Sequence, residues 1–224
     1  MTFPTKKVKK RKGIQTVEEV ASQCTRGRLG ENERDAIQAA VDAFERSRAI
    51  RTIDSPIGGT VISFLDRDVE KGKRIINALH DTKVISEDVE ETADFPVKQT
   101  GDKVAVAPWV GMFEGQTLTH ADIHYTQPLA WKATTLIYVL ESEGEIEYKV
   151  FGRKNEKIDN NNDKFHAVKL EGAGSWLRFP SRNQHYGDGG KRKIISLMLF
   201  SKEEKKDTSK KKKEKKNSPA WYLP

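Results

Sequence analysis

The chain has 224 residues, 36% of them hydrophobic, and a formal net charge of +7. That length suits one domain with extensions and is enough to bury a sizeable core. A single cysteine, Cys24, excludes a disulfide framework and points to a reducing interior, cytoplasmic or nuclear. No apolar run is long enough to span a membrane, and the basic residues near the start have no apolar stretch behind them, so they do not read as a secretory signal.

The charge is unevenly spread. Residues 6–12 form one basic cluster, and residues 202–216 form a second, rich in lysine with a few acids. Such runs read first as solvated tails. Their second reading is weak attraction to nucleic acid or another acidic partner, or a nuclear address. No aromatic residue interleaves with the lysines, so base stacking within the tails is not supported.

Residues 1–30 are polar and basic, with a short amphipathic stretch near Val17 and Val20. From Glu31 the spacing predicts a helix, with acids early and Ala36, Ile37, Ala40, Val41 and Phe44 at helical intervals. Pro56 and Gly58-Gly59 interrupt the pattern. The apolar stretch 60–65 precedes a second predicted helix over 68–80, which ends at His80, read there as a capping or surface residue. Residues 81–100 are acidic and loop-like, anchored near Phe95-Pro96.

From Val104 β-branched and aromatic residues dominate, punctuated by turn residues about every ten positions. Strands are predicted near 104–107, 112–113, 118–124, 133–140, 145–151, 165–170, 175–179 and 193–200. The polar stretch between Gly152 and Lys164 reads as a hairpin tip. It lacks the glycine and terminal glutamate of a calcium-binding loop.

The stretch 119–124 places His120 and Asp122 two residues apart, with His185 far downstream. In a strand, residues i and i+2 project from one face, so an imidazole and a carboxylate there can hold one metal, with a third ligand from another strand. Two histidines and one carboxylate on an iron leave positions open for substrate and oxygen. His124 lies on the same strand face and reads as a neighbour of the site. His166 is expected to be exposed. The i, i+4 pair His120 and His124 also matches a zinc-helix spacing, but the acid is misplaced and Pro128 argues against a helix.

Ordered companions follow that pair: Thr135-Leu-Ile-Tyr-Val-Leu140, Glu143-Gly-Glu145, Phe179-Pro-Ser-Arg-Asn-Gln-His185 and Arg192-Lys-Ile-Ile-Ser196. Together they resemble the double-stranded β-helix core of the Fe(II)- and 2-oxoglutarate-dependent dioxygenase superfamily, in its prolyl-hydroxylase-like branch. The resemblance runs over residues 60–201. It implies a mainly β, jelly-roll fold with flanking helices, and a hydroxylase using Fe(II), 2-oxoglutarate as co-substrate and O2.

The resemblance further implies His120, Asp122 and His185 as metal ligands, with no other catalytic residue. It puts Arg192 on the distal carboxylate of 2-oxoglutarate, Ser196 beside it, and Tyr138 and Thr135 along the co-substrate pocket. Val139 stands where some members carry a second tyrosine. A guanidinium suits the carboxylate because it offers a planar fork. Lys191 and Lys193 are rivals for that role. Alternation puts Arg192, Ile194 and Ser196 on one face and Lys193 on the other, which favours Arg192. Arg192 follows His185 by seven positions, a shorter step than the family usually takes, so the loop Asp188-Gly-Gly190 must be tight, which its glycines permit.

The expected division is residues 1–50 as a basic tail and helical extension, 51–201 as the catalytic domain, and 202–224 as a lysine-rich tail. The substrate, protein side chain or small molecule, is left open, with Tyr125, Trp131 and the 152–164 hairpin as candidate entrance elements. Two other readings stay open: a cupin-type metal protein, and a non-enzymatic jelly-roll module, capsid-like or scaffold, whose basic tails bind nucleic acid.

Overall fold

The structure, a computed structural model, describes residues 15–46, 50–55, 57–64, 69–85, 90–91, 94–96, 103–105, 109–122, 133–152 and 165–201. The two basic clusters, His124, Tyr125, Trp131 and the hairpin tip lie outside the described residues.

Helix α1 (Val17–Ala21) leads into strand β1 (Thr25–Arg28) and helix α2 (Glu31–Glu45). Strands β2 (Ile50–Asp54) and β3 (Thr60–Phe64) form a hairpin before helix α3 (Val69–Asp81). Three short strands follow, β4 (Glu90–Glu91), β5 (Asp94–Pro96) and β6 (Lys103–Ala105). The rest of the described chain is strand and connection: β7 (Trp109–Phe113), β8 (Ala133–Ser142), β9 (Ile146–Phe151), β10 (Phe165–Leu170), β11 (Ser175–Pro180), β12 (His185–Gly189) and β13 (Arg192–Ser201).

Local chemistry explains the helices. Thr16 caps α1 in a reciprocal box, its Oγ1 accepting from Glu19 N at 3.2 Å while Glu19 Oε2 accepts from Thr16 N at 2.9 Å. Glu31 and Glu33 sit in the first turn of α2, where acids complement the helix dipole. Ile37, Val41 and Phe44 recur on one face of α2 and are buried, whereas Ala36 is exposed.

The strands form a main sheet in the order β1-β11-β8-β13-β7-β3-β2, with β4 pairing on β13, and a smaller sheet in the order β10-β9-β12. Every pairing in both sheets is antiparallel. The result is the expected mainly β, double-stranded β-helix, with α2 and α3 together on one side and α1 against the smaller sheet.

Two cores divide along strand alternation. Leu136, Tyr138, Leu140, Ile195, Leu197 and Leu199 pack with Ile37, Val41 and Phe44 of α2 and Ile75 and Leu79 of α3. The alternate residues Ile137, Val139 and Ile194 pack with Ile146, Tyr148, Val150, Leu177 and Phe179 on the side of the smaller sheet. Each such fully buried aliphatic side chain contributes about 1.5–3 kcal/mol.

Several sequence expectations shift. Residues 118–122, the described part of the strand expected over 118–124, do not form one. His120 makes one isolated antiparallel bridge to His185, and Asp122 lies in a bend beyond it. Residues 17–45, expected outside the domain, are built into it: β1 pairs with β11, and α2 supplies part of the helix-side core. Strand β12 carries His185 to Gly189 without a loop, which explains the short step to Arg192. A Cβ at Gly190 would lie 1.9 Å from Glu143 O, so only glycine permits that turn. Among the described residues no helix is long and apolar enough to cross a membrane.

Candidate metal centre

The site begins with the bridge between His120 and His185. The two residues exchange backbone hydrogen bonds, His120 N to His185 O at 3.0 Å and His185 N to His120 O at 2.8 Å. Residues directly opposite in such a pair point to the same face. Their rings lie 4.3 Å apart between centroids. The Phe179 ring packs 4.5 Å from that of His185 and limits its rotation.

Backbone carbonyls set the tautomers. His120 Nδ1 lies 2.8 Å from Leu118 O, and His185 Nδ1 lies 3.2 Å from Asn183 O. A carbonyl only accepts, so each Nδ1 carries the proton and each Nε2 keeps its lone pair free. Those Nε2 atoms face the Asp122 carboxylate, His120 Nε2 at 3.7 Å from Oδ1 and His185 Nε2 at 3.8 Å from Oδ2. These gaps are too long for hydrogen bonds. The ligand atoms of all three residues lie within 4.8 Å of one another. Two imidazoles and one carboxylate suit a divalent transition metal that keeps further positions open.

Burial tunes the ligands. His185 is 2% exposed, and that burial pushes its imidazole below the ordinary range, with Asp122 pulling it up and His120 pushing it down. A neutral ring is the form that ligates.

Beside the three ligands lies a cleft of about 290 Å³, counting space open to solvent. Ile57, Trp109, Phe113, Ile137 and Ile194 give it apolar walls, and Thr117, Tyr148 and Ser196 add hydroxyls. Arg192 sits next to this cleft, 3% exposed, with its guanidinium 5.7 Å from the Phe113 ring centroid. It donates through Nη1 to Gly115 O at 2.9 Å and Gly190 O at 3.3 Å, and through Nη2 to Gly187 O at 3.1 Å. Its Nε is buried without a hydrogen-bond partner, and among the described residues no carboxylate pairs with it.

Lys193 takes the opposite face, where its Nζ meets Glu45 Oε1 of α2 at 2.7 Å. Alternation therefore separates the two cations as expected from the sequence. Ser196 lines the cleft.

Two expected pocket residues sit elsewhere. Tyr138 does not line the cleft. It belongs to the helix-side core, because Thr135 and Tyr138 have opposite parity on β8 and cannot share a face. Burial there pushes its phenol up to about 12. Thr135 is on the cleft side of β8 but is fully buried behind Asp122, to which it is hydrogen-bonded.

Tyr148 is the residue that sequence reasoning missed. Its ring lies on Gly187, where a Cβ would come within 2.9 Å, and its phenol faces the Arg192 guanidinium. Burial raises its pKa, so it remains a protonated donor. The signal was available in β9, where Ile146, Tyr148 and Val150 alternate inward and a polar tip stands between two aliphatic residues.

No protein-family model and no curated protein matches the chain. Among solved structures it is similar to the non-heme alpha ketoglutarate dependent epimerase SnoN from nogalamycin biosynthesis, with TM-score 0.51 and 13% identity over 82% of each chain. It is also similar to a prolyl hydroxylase from Trichoplax adhaerens in complex with a hypoxia inducible factor peptide fragment, with TM-score 0.47 and 14% identity over 91% of each chain. Strand order, sheet pairing and the first of these likenesses agree: the chain has the double-stranded β-helix fold of the 2-oxoglutarate- and Fe(II)-dependent oxygenases.

Proposed function

We propose that the protein is an Fe(II)- and 2-oxoglutarate-dependent dioxygenase that hydroxylates its substrate. One observation carries the reading: three convergent side-chain ligands stand beside a buried guanidinium that has no carboxylate partner among the described residues. A buried charge without a counterion is costly, so the site is built for an anionic ligand.

The donor set fits the cofactors. His120 Nε2, His185 Nε2 and one Asp122 oxygen would hold Fe(II). Arg192 Nε and the hydroxyls of Tyr148 and Ser196 offer donors to one carboxylate of 2-oxoglutarate. The apolar walls exclude water around its carbon chain. Together with bound Fe(II), 2-oxoglutarate and O2 supply oxidative decarboxylation to succinate and CO2, with one oxygen atom passing to a substrate C–H bond.

The chain's own residues orient and insulate. Leu118 O and Asn183 O hold the imidazoles in the ligating tautomer, and Phe179 keeps His185 from turning. Gly115, Gly187 and Gly190 carbonyls fix the guanidinium plane before any ligand arrives, which lowers the entropic cost of binding.

The test is succinate formation from 2-oxoglutarate with and without added Fe(II), in the absence of any other substrate. His120→Ala and Asp122→Ala should each abolish the iron-dependent turnover. Turnover that survives both changes rules the assignment out.

A further inference from the structure

We infer that Thr135 restricts Asp122 to a single ligating oxygen and so keeps three metal positions open. The inference rests on the metal-site reading above and concerns a positioning residue, not a ligand.

Thr135 and Ser181 are both 0% exposed. Thr135 Oγ1 is hydrogen-bonded to Asp122 Oδ2 and lies 2.9 Å from Ser181 Oγ. A hydroxyl has one proton, and a carboxylate oxygen accepts. Thr135 therefore donates to Asp122, and Ser181 donates to Thr135 Oγ1. The chain of donors runs from the turn after β11 through the central strand β8 to the ligand.

Asp122 needs this restraint more than the histidines do. The histidines hold each other through a backbone bridge and are tied at Nδ1 to carbonyls. Asp122 lies in a bend, and among the described residues Thr135 is the hydrogen-bond donor to its carboxylate. A charge-assisted hydrogen bond to Oδ2 competes with a metal for that oxygen. Two imidazoles and one carboxylate oxygen then fill three octahedral positions, whereas a two-oxygen carboxylate would fill a fourth. A chelating 2-oxo acid and O2 together require three.

The probe is Mn(II), whose bound waters are counted by their effect on solvent proton relaxation. Thr135→Val removes the donor and keeps the outline. Thr135→Cys keeps a side chain of similar size with a weak donor. Thr135→Ser keeps the hydroxyl and loses a methyl. Wild type and Thr135→Ser should give equal relaxation per bound Mn(II). In Thr135→Val and Thr135→Cys the relaxation should fall by about a third, and the Mn(II) Kd should rise about 10-fold.

Thermal melting is measured on every variant, and Thr135→Cys carries the test if Thr135→Val does not fold. Wild-type relaxation and Kd in a folded, hydroxyl-deficient variant would overturn the inference and leave the metal site standing. Failure of wild type to bind Mn(II) would overturn both.

Discussion

The two faces of the main sheet differ in what they tolerate. Toward α2 and α3, strands β8 and β13 present Leu136, Tyr138, Leu140, Ile195, Leu197 and Leu199, and the cation on that side, Lys193, is paired with Glu45. Toward the smaller sheet, the same strands present Thr135 beside Asp122, Ser196 on the cleft, and Arg192 with no acidic partner among the described residues. The first face pairs its cation internally and serves stability. The second leaves donors unmet, which is the cost a binding site carries. One residue of parity separates the two roles.

That division can be broken by mutation. The largest expected effect is Leu197→Ala on the helix face. It should cost about 2–5 kcal/mol of stability in a denaturant titration and leave the metal Kd unchanged. A matching loss of metal affinity would show that the faces are not independent.

Next comes Arg192→Gln, which should raise the KM for 2-oxoglutarate about 100-fold while metal binding persists. Lys193→Met, one residue away, should leave that KM within about twofold and cost about 1 kcal/mol of stability. Equal effects of the two changes on KM would remove Arg192 from the co-substrate site.

The smallest effect is a pH dependence that sharpens the cleft side. Burial depresses the folded-state pKa of His185 below its ordinary value of 6.5. The stability that its neutral form contributes is therefore present above pH 6.5 and lost as pH falls through the depressed pKa. Urea midpoints of metal-free protein should decline below pH 6.5, and His185→Gln should flatten that decline. An unchanged slope would mean that the ring is not held neutral by burial.

Most of the β architecture was legible because alternation and turn residues report it directly. Strands over 133–140, 165–170 and 175–179 recur as β8, β10 and β11 almost unchanged. The parity that selects Arg192 over Lys193 was legible for the same reason. The segment 118–124 misled, since β-rich composition does not say whether a neighbouring strand is available along its whole length. Among its described residues only His120 forms a β-bridge. Tyr138 misled because it stands three residues from Thr135 on β8, and odd spacing in a strand turns the two side chains to opposite faces. The N-terminal elements read as an extension because β1 is short and polar, and its pairing with β11 is a contact between residues 25–28 and 175–178 that no local pattern contains.

The sequence by itself determined strands β8 to β11 and β13 and the alternation of their side chains between two faces, since these follow from residue type and a two-residue period. Only the tertiary structure decided what the faces meet. It brought His185 opposite His120 across 65 residues of chain. It placed Tyr148 against Arg192, and it turned Thr135 from a pocket residue into the group that holds Asp122. The physical reason is that side-chain direction is local, whereas the partner at the end of that direction is set by strand pairing between distant segments.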